Sequence, residues 1–386
     1  MILPGIPEGR GSFMPPLSLM IKPVSSACTM RCRYCFYTDV ASNRETFNLG
    51  KMSMETTEKL IRRAMAYADG HVSFAFQGGE PTLAGIEYFR EFIRLEKKYR
   101  KDGVLIQNSI QTNGYCLDDA LLKFLVQEDF LIGVSVDGTA ELHDLLRLDT
   151  AGNGTYSKVK ETLDRLDQLK ANFNILTVVN GYVARNASAC FQSLSKYGYL
   201  QFIPCLDPFD GSKSDFSLTA EAYGKFLRET FDLYYKAFKR GKPVSVRNFD
   251  NYIGIILGKE PENCGMCGRC GHYFLIEGDG GIYPCDFYVL DDWYLGNINE
   301  SSFFRLDGNE VGERFRKVSH CIADECRKCQ WYSLCRGGCR RDREPIENGL
   351  PSVNQWCSSF KSFFAYAYPR MCEIAHDVYE RTYSTQ

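Results

Sequence analysis

The distribution of cysteine constrains this chain more than any other feature of its sequence. Cysteine occupies 17 of the 386 positions, and eleven of these residues lie between Cys264 and Cys372. A second group, Cys28, Cys32 and Cys35, lies within eight positions. A secreted disulfide framework would explain such density, but MILPGIPEGRGSF at the N-terminus lacks the basic and then apolar order of a signal peptide. Clustered thiols in a reducing compartment bind metal or carry out redox chemistry, so the sequence predicts a cytoplasmic metal-binding protein.

Length and charge narrow the classes of function. A chain of 386 residues is long enough for about two or three domains with a sizeable core. Its net charge of −2 gives no reason to expect nucleic acid or an anionic membrane as a partner. No apolar run approaches the ~18 residues that a membrane span needs. Residues 1–13 are expected to be an unstructured lead-in, and Met14 is an alternative start.

Strand-like and helix-like segments alternate over roughly the first 235 residues. Each parallel crossover needs a helix, so this alternation predicts a parallel α/β sheet. Six such units are too few for a closed eight-stranded barrel, and we expect an open, partial (β/α)6 barrel with its ligand site at the carboxyl ends of the strands. The predicted strands are 18–22, 72–77, 105–113, 130–137, 173–179 and 200–205.

The composition changes after residue 263. Upstream, an amphipathic helix over 218–240 is expected to close the barrel domain. Downstream, short apolar runs lie among cysteine and glycine, so bound metal would supply part of the folding free energy of this second domain. The predicted division is a lead-in (1–13), a barrel (14–240), a linker (241–263), a Cys-rich domain (264–370) and a helix end with a tail (371–386).

The spacing Cys-x3-Cys-x2-Cys at Cys28, Cys32 and Cys35 can wrap three thiolates around a cubane iron–sulfur cluster. A zinc loop is the alternative, although zinc sites more often use paired cysteines. With Tyr34 before the third cysteine, the motif resembles that of the radical S-adenosylmethionine (SAM) enzymes. The resemblance implies that the fourth iron of the cluster is chelated by the amino and carboxylate groups of SAM.

The same resemblance implies a SAM site. The segment QGGEP at 77–81 follows a predicted strand and resembles the family's segment for the methionine amino group, whereas alone it would indicate a tight turn. A hydroxyl at the end of the fourth strand and an arginine shortly after it match positions that bind the SAM carboxylate. An ordinary hydroxyl at the barrel rim and a solvated arginine are the alternatives. The implied cofactor-binding residues are Tyr34, Gly78, Gly79, Glu80, Ser135 and Arg147.

The stretch CRKCQWYSLCRGGC resembles the SPASM domain, which holds two auxiliary 4Fe–4S clusters. A zinc ribbon is the alternative, but ribbons use four cysteines. The resemblance assigns four ligands to the first auxiliary cluster, Cys264, Cys270, Cys285 and Cys339. It assigns four to the second, Cys326, Cys329, Cys335 and Cys357. The sequence leaves open whether Cys267 replaces Cys264 or Cys270.

Asp286 directly follows one of these predicted ligands, in YPCDFY. An aspartate usually caps a turn or lies at the surface. A carboxylate beside a redox centre can instead take a proton while an electron leaves, which suits oxidation of an alcohol or thiol. Asp286 is therefore the candidate catalytic base.

Longer stretches, among them SFAFQGGEPTLAG, GYLQFIPCLDP and YPCDFYVLD, are similar to the anaerobic sulfatase-maturating enzymes. The resemblance implies an oxidoreductase that converts a Cys or Ser of an unfolded sulfatase, within Cys/Ser-x-Pro/Ala-x-Arg, to Cα-formylglycine. It implies SAM and three 4Fe–4S clusters, hydrogen abstraction from Cβ by a 5′-deoxyadenosyl radical, and an electron donor such as flavodoxin or ferredoxin. Tyr37 and Gln77 match positions that contact the peptide.

Two other functions compete with this one. A SPASM-type peptide maturase would form thioether or carbon crosslinks, and such enzymes commonly carry an N-terminal leader-binding module, for which the roughly 17 residues before the first predicted strand leave no room. A non-catalytic iron–sulfur sensor or electron carrier would need no open iron and no SAM-binding residues. Formation of 5′-deoxyadenosine distinguishes an enzyme from a sensor.

Overall fold

A computed structural model describes residues 16–347 and 349–383 of the chain. The predicted lead-in, the alternative start at Met14 and the last three residues of the predicted tail lie outside the described residues. Among the helices in the described part, none combines the length and the hydropathy required to cross a membrane.

The six predicted strands form the parallel centre of a ten-stranded sheet, which confirms the open α/β architecture. Along the sheet the strand order is β10-β9-β8-β1-β2-β3-β4-β5-β6-β7. Its strands are β1 Leu17–Ile21, β2 His71–Phe76, β3 Leu105–Thr112, β4 Leu131–Ser135, β5 Phe173–Val179, β6 Tyr199–Pro204, β7 Ser245–Val246, β8 Phe274–Ile276, β9 Gly281–Tyr283 and β10 Gly296–Asn297. A separate hairpin pairs β11 Ile346–Glu347 with β12 Leu350–Pro351.

Helices connect the parallel strands and cover the sheet. In the described residues they are α1 Phe36–Ser42, α2 Met54–Tyr67, α3 Ile86–Tyr99, α4 Asp119–Gln127, α5 Ala140–Asp144, α6 Tyr156–Gln168, α7 Gly181–Arg185, α8 Ala187–Leu194, α9 Ala220–Lys239, α10 Arg247–Ile256, α11 Phe303–Asp307, α12 Glu310–Ser319, α13 Asp324–Arg327, α14 Tyr332–Cys335 and α15 Cys357–Tyr383. Single 3-10 turns occur at Pro81–Ala84, Ser195–Tyr197, Cys264–Met266, Asp286–Tyr288, Asp291–Trp293 and Arg340–Arg343.

Local sequence explains where these helices begin and which face they bury. Ser53 precedes α2 and its side chain accepts a hydrogen bond from the N–H of Thr56, and Thr219 caps α9 in the same way. Along α6 the apolar stripe that includes Val159 and Leu163 is buried against the sheet. The starts of α2 and α9 and the buried face of α6 therefore follow from ordinary capping and periodicity.

The Cys-rich region is built onto the barrel sheet. Strand β8 pairs in parallel with β1, so that Leu19 lies between Phe74 on one side and Phe274 on the other. At the opposite edge β7 pairs with β6, and β7 with α10 occupies the segment predicted to be a linker. Helix α15 packs on α9, with the rings of Phe231 and Phe363 5.7 Å apart. One sheet thus continues from the barrel into the region of auxiliary cysteines.

Candidate active site

The three-cysteine loop follows β1 at the carboxyl end of the sheet. The backbone N–H groups of Arg31 and Arg33 donate to the carbonyls of Leu148 and Leu146 at 2.7 and 2.9 Å, which fixes the loop to the segment after α5. Cys35 then forms the N-cap of α1. The loop geometry is set by backbone hydrogen bonds that do not involve the thiols.

The three thiols lie close enough to affect one another. Burial raises the pKa of Cys32 to about 12, and the charges of Cys35 and Cys28 act in the same direction. Burial also raises the pKa of Cys28, against hydrogen bonds to its sulfur from the Met30 N–H at 3.4 Å and Asn113 Nδ2 at 3.6 Å. Three half-buried thiols with donors aimed at one sulfur fit a bound iron–sulfur cluster, whose cations would keep them ionised.

The same side chains are not arranged to bind a single metal ion such as zinc. Among the described residues, no group of three or more His, Cys, Asp and Glu side chains is arranged to hold a single metal ion. A cubane cluster spreads its ligands over four iron atoms, so thiols that bind it stand farther apart than the ligands of one zinc ion.

Tyr34, Asp137 and Arg147 form a buried hydrogen-bonded group behind Cys32. The Tyr34 hydroxyl donates to Asp137, and Arg147 Nη1 donates to the Tyr34 oxygen at 2.8 Å. Burial raises the pKa of Asp137, and the Arg147 charge opposes this rise. Arg147 is buried, and its Nε has no hydrogen-bond partner among the described residues. A solvated arginine is therefore not what the structure contains, and Asp137 is a site residue that the sequence interpretation missed.

The glycine pair after β2 lies directly against the three-cysteine loop. Gly79 N–H donates to the Ser25 carbonyl at 2.8 Å, and Glu80 N–H donates to the Ala27 carbonyl at 2.7 Å. A Cβ built at Gly79 would stand 2.1 Å from the Ala27 oxygen, so only glycine permits this approach. The backbone of the predicted SAM segment therefore lies at the start of the cysteine loop.

The Glu80 side chain is occupied by the protein itself. It is fully buried and accepts hydrogen bonds from Thr82, from the Thr112 hydroxyl at 2.8 Å and from the Asn113 N–H at 2.7 Å. Burial raises its pKa and these donors lower it. Glu80 thus joins the ends of β2 and β3, and any role in SAM binding stays a prediction. Ser135, the last residue of β4, accepts a hydrogen bond from Gln111 at 3.0 Å.

The first predicted set of auxiliary thiols comes together across long sequence separations. Burial raises the pKa of Cys285, and the charges of Cys339 and Cys270 act in the same direction. Burial also raises the pKa of Cys339, and the charges of Cys264 and Cys270 add to that rise. The Cys267 thiol instead donates to the carbonyls of Pro261 and Asn263, at 3.7 and 3.6 Å. Cys267 thus has other partners in the structure, and the choice among Cys264, Cys267 and Cys270 as ligands stays a prediction.

The second predicted set lines one cavity. The space between these thiols, counted together with the part that opens to solvent, is about 360 Å³, and aromatic side chains complete its wall. Burial raises the pKa of Cys335 to about 11, with further rises from the other three thiols. The cysteines and aromatic residues of the wall are Cys326, Cys329, Cys335, Cys357, Trp331, Tyr332, Phe360 and Phe364. Four thiols around a shared space fit a second bound cluster.

Asp286 pairs with a lysine that the sequence interpretation did not single out. Lys22 Nζ lies 2.6 Å from Asp286 Oδ1, although the angles are not those of a hydrogen bond. The same ammonium lies 3.1 Å from the centroid of the Tyr37 ring, and Lys22 is 1 % exposed. The available signal was a lysine ending the apolar segment SLMIK directly before the cysteine loop.

Tyr37 belongs to a second buried group that sequence patterns did not reveal. Its hydroxyl donates to Glu277, whose carboxylate lies 3.3 Å from Arg44 Nη1, and Arg44 also donates to the Ser25 hydroxyl at 3.2 Å. Tyr37 is almost fully buried, and burial raises its pKa. Gln77, the other predicted peptide contact, donates its backbone N–H to the Ile21 carbonyl at 2.9 Å. Both residues therefore lie beside Lys22, and their contact with a peptide stays a prediction.

Comparison with known proteins agrees with this geometry. The family model of the radical SAM superfamily matches residues 23–186, and that of an iron–sulfur cluster-binding domain, SPASM, matches 264–330. The chain is 43% identical over 369 residues to a cysteine-type anaerobic sulfatase-maturating enzyme of Clostridium perfringens, covering 95% of this chain and 100% of the relative. It is 30% identical to a serine-type enzyme of Klebsiella aerogenes, covering 91% and 85%.

Solved structures extend the comparison. Native anSMEcpe with bound AdoMet superposes with a TM-score of 0.90 at 43% identity, covering 94% of this chain and 100% of that one. Streptococcus suis SuiB bound to S-adenosylmethionine matches with a TM-score of 0.64 at 16% identity, over 90% and 78% of the two chains, which shows a shared fold alone. The chain therefore belongs to the anaerobic sulfatase-maturating enzymes, a family of radical SAM oxidoreductases that carry a SPASM iron–sulfur domain.

Proposed function

We propose that this enzyme oxidises an active-site Cys, or Ser, of a sulfatase polypeptide to Cα-formylglycine without oxygen. The observation that carries the proposal is the position of Asp286 between the two cysteine regions. Asp286 follows Cys285, its carboxylate lies 2.6 Å from Lys22 after β1, and the adjacent Phe287 packs against Phe36 of α1 at 5.0 Å between ring centroids. This position supports Asp286 as the proton acceptor between the proposed substrate site and the auxiliary thiols.

The thiols support a particular set of cofactors. Cys28, Cys32 and Cys35 would hold one 4Fe–4S cluster together with SAM, and the two four-thiol groups would hold one cluster each. When bound, SAM and the reduced first cluster supply a 5′-deoxyadenosyl radical that removes a hydrogen atom from the substrate Cβ. The Gly78–Gly79 backbone, Ser135 and Arg147 would bind the amino and carboxylate groups of SAM, because a buried guanidinium is well suited to a carboxylate.

Asp286 would take the proton of the substrate thiol or hydroxyl. Loss of this proton, of one Cβ hydrogen atom and of one further electron leaves a thioaldehyde from Cys or the aldehyde from Ser. Water converts the thioaldehyde to the aldehyde and releases hydrogen sulfide. The remaining electron would pass to the neighbouring thiol-rich region, which Asp286 adjoins through Cys285. The burial of Lys22 and Tyr37 beside this carboxylate keeps bulk water from the reacting centre.

We infer a cysteine-type preference and an extended peptide substrate. The relatives at 43% identity are named cysteine-type, and those near 30% are named serine-type. Native anSMEcpe has been solved with bound AdoMet and a Cp18Cys peptide, and this chain matches that structure with a TM-score of 0.90. An unfolded segment Cys-x-Pro-x-Arg would enter over Tyr37 and Gln77. A flavodoxin or ferredoxin would supply the electrons.

Mass spectrometry after anaerobic turnover tests this function. A Cys-x-Pro-x-Arg peptide is expected to lose one sulfur and two hydrogens and to gain one oxygen, while its Ser counterpart loses two hydrogens at a lower rate. A Cys product that keeps its sulfur, loses two hydrogens and is not converted to the aldehyde on prolonged incubation in water would instead identify a crosslinking maturase. A protein that forms no 5′-deoxyadenosine when reduced with dithionite and given SAM would be a sensor or carrier, and the proposal would fail.

A further inference from the structure

Lys22 is the most unusual polar side chain near the site. It follows β1 directly and is 1 % exposed. Its stem runs over Gly78, where an added Cβ would stand 3.2 and 3.3 Å from Lys22 Cβ and Cγ. Gly78 has φ +127°, a conformation that glycine adopts readily and other residues rarely do. The cofactor loop therefore leaves space for this one lysine to reach the centre of the site.

One carboxylate and two aromatic rings compensate the burial of its charge. The ammonium lies 2.6 Å from Asp286 Oδ1 and 3.1 Å from the centroid of the Tyr37 ring, and a second ring, Phe36, lies at 5.9 Å. A buried lysine that only stabilised the fold would be expected to direct its N–H groups at carbonyls or carboxylates with hydrogen-bond geometry. Lys22 Nζ makes no such bond to the described residues. The ammonium is thus stabilised by the Asp286 carboxylate and by the face of the Tyr37 ring, and its N–H groups donate no hydrogen bond to the described residues.

Asp286 depends on this contact for its orientation. It begins a single 3-10 turn, and within the described chain Lys22 is the only cation within ion-pair distance of its carboxylate. Oδ1 has no hydrogen-bond partner there either. An aspartate has two rotatable side-chain bonds, so without the ammonium the carboxylate can turn away from the substrate. A small misplacement of a reacting group is enough to slow a reaction greatly.

We infer that Lys22 is the positioning residue of the catalytic carboxylate: it fixes one oxygen of Asp286, so that the other meets the thiol or hydroxyl proton of the substrate. This inference rests on the proposed function of Asp286. Lys22 would then affect the chemical step that follows substrate binding. It would not affect the affinity for the peptide or the assembly of the clusters.

Lys22→Met tests the inference, because methionine keeps the unbranched stem and removes the ammonium. We expect kcat for formylglycine formation from a Cys-x-Pro-x-Arg peptide to fall roughly 10- to 100-fold. KM, the peptide Kd from fluorescence anisotropy and the iron content are expected to stay within about twofold of wild type. The ratio of 5′-deoxyadenosine to formylglycine should rise. Lys22→Arg, which restores a cation, should recover part of kcat and lower this ratio again.

Controls separate the possible failures. Lys101→Met makes the same change at an exposed lysine whose partner is the Ala66 carbonyl, and it should leave every readout unchanged. Lys22→Gln replaces the Met variant if that variant loses iron. An unchanged kcat in Lys22→Met, or a peptide Kd that weakens in parallel with kcat, would overturn the positioning role. An Asp286→Asn variant with wild-type aldehyde yield would instead show that the base assignment, and with it the proposed function of Asp286, is wrong.

Discussion

The two cysteine regions of this enzyme are built in opposite ways. The N-terminal loop is held by backbone hydrogen bonds at the end of a parallel sheet, in which Val72, Phe74 and Phe76 alternate into the core. Around the second auxiliary thiols, all residues from 321 to 333 keep some exposure to solvent, and the helices α13 and α14 have four residues each. The first region has a scaffold independent of its thiols, whereas the second has little apolar surface to bury.

A bound cluster would therefore have a different role in each region. In the barrel the free energy of folding comes from apolar burial, and the cluster adds chemistry. Around Cys326 and Cys329, where residues 321–333 bury little apolar surface, ligand bonds would replace the missing contacts, so that metal binding and local folding would be one process. Asp286 and Lys22 lie where the two regions meet.

Asp286→Asn tests the functional junction of the two regions. Loss of the proton acceptor should reduce formylglycine formation about 10²- to 10⁴-fold, while cleavage of SAM to 5′-deoxyadenosine continues. Both products are measured by liquid chromatography with mass spectrometry. Asp292→Asn, at an exposed carboxylate in the same segment, is the matched control and should behave as wild type. Equal aldehyde yields from the two variants would remove Asp286 from the mechanism.

Alanine replacement of each cysteine group tests the structural contrast. Replacing Cys28, Cys32 and Cys35 together should leave about eight of about twelve irons and a nearly unchanged thermal midpoint. Replacing Cys326, Cys329 and Cys335 should remove a similar share of iron and, in addition, cost several kcal/mol of stability and open residues 321–357 to proteolysis. Iron analysis, thermal unfolding and limited proteolysis give the three readouts. Equal loss of stability in both variants would contradict the contrast.

Glu96→Gln tests the claim that the barrel has its own stability. Glu96 is buried in α3, accepts a hydrogen bond from Asn108 at 3.0 Å, and burial raises its pKa to about 7. The unfolded carboxyl ionises at lower pH, so Glu96 should cost the wild type on the order of 3 kcal/mol of stability as pH rises from about 4.5 to about 7, and nothing more above that range. In Glu96→Gln this loss should be absent. Thermal midpoints across that range measure it, and parallel curves for both proteins would contradict the prediction.

Asn113→Leu tests whether the hydrogen bond to Cys28 Sγ affects the first cluster. The Asn113 amide donates to Cys28 Sγ at 3.6 Å, and hydrogen bonds to cluster ligands raise the reduction potential. Its removal, worth about 1 kcal/mol, should lower the midpoint potential of the first cluster and leave the auxiliary clusters unchanged. Electron paramagnetic resonance during a redox titration measures all of them, so the auxiliary signals are the internal control. A shift of every cluster would indicate a general structural change.

Much of the barrel was predictable because its elements carry strong local patterns. The six strands match their predicted positions to within two residues at either end, since apolar runs between helical stripes leave little choice. Strands β7 and β8 were missed because two or three residues carry no periodicity, and the segment 241–263 was therefore interpreted as a linker. Short strands exist here only through pairing with the barrel.

The site was predictable where a motif lies within one loop or where the family resemblance relates distant cysteines to one another. The thiols, the glycine pair and Asp286 came from motifs and from the family resemblance. Lys22 and Glu277 did not, because their partners Asp286 and Tyr37 are more than two hundred positions away in the sequence. Buried charges whose compensation comes from a distant segment leave no local signal. Asp137, which follows β4, can be recognised as a site residue only from its hydrogen-bonded group with Tyr34 and Arg147.

The parallel pairing of β8 with β1 has a consequence for dividing this protein. The two family models match separate segments of the chain. A chain cut before residue 264 would nevertheless lack β8, and the backbone groups of β1 that pair with β8 would be free to pair with another copy. A barrel fragment made in this way should self-associate. Chimeras between relatives would have to exchange residues 274–276 together with the barrel they complete, so the physical boundary between the two modules runs through the middle of a shared sheet.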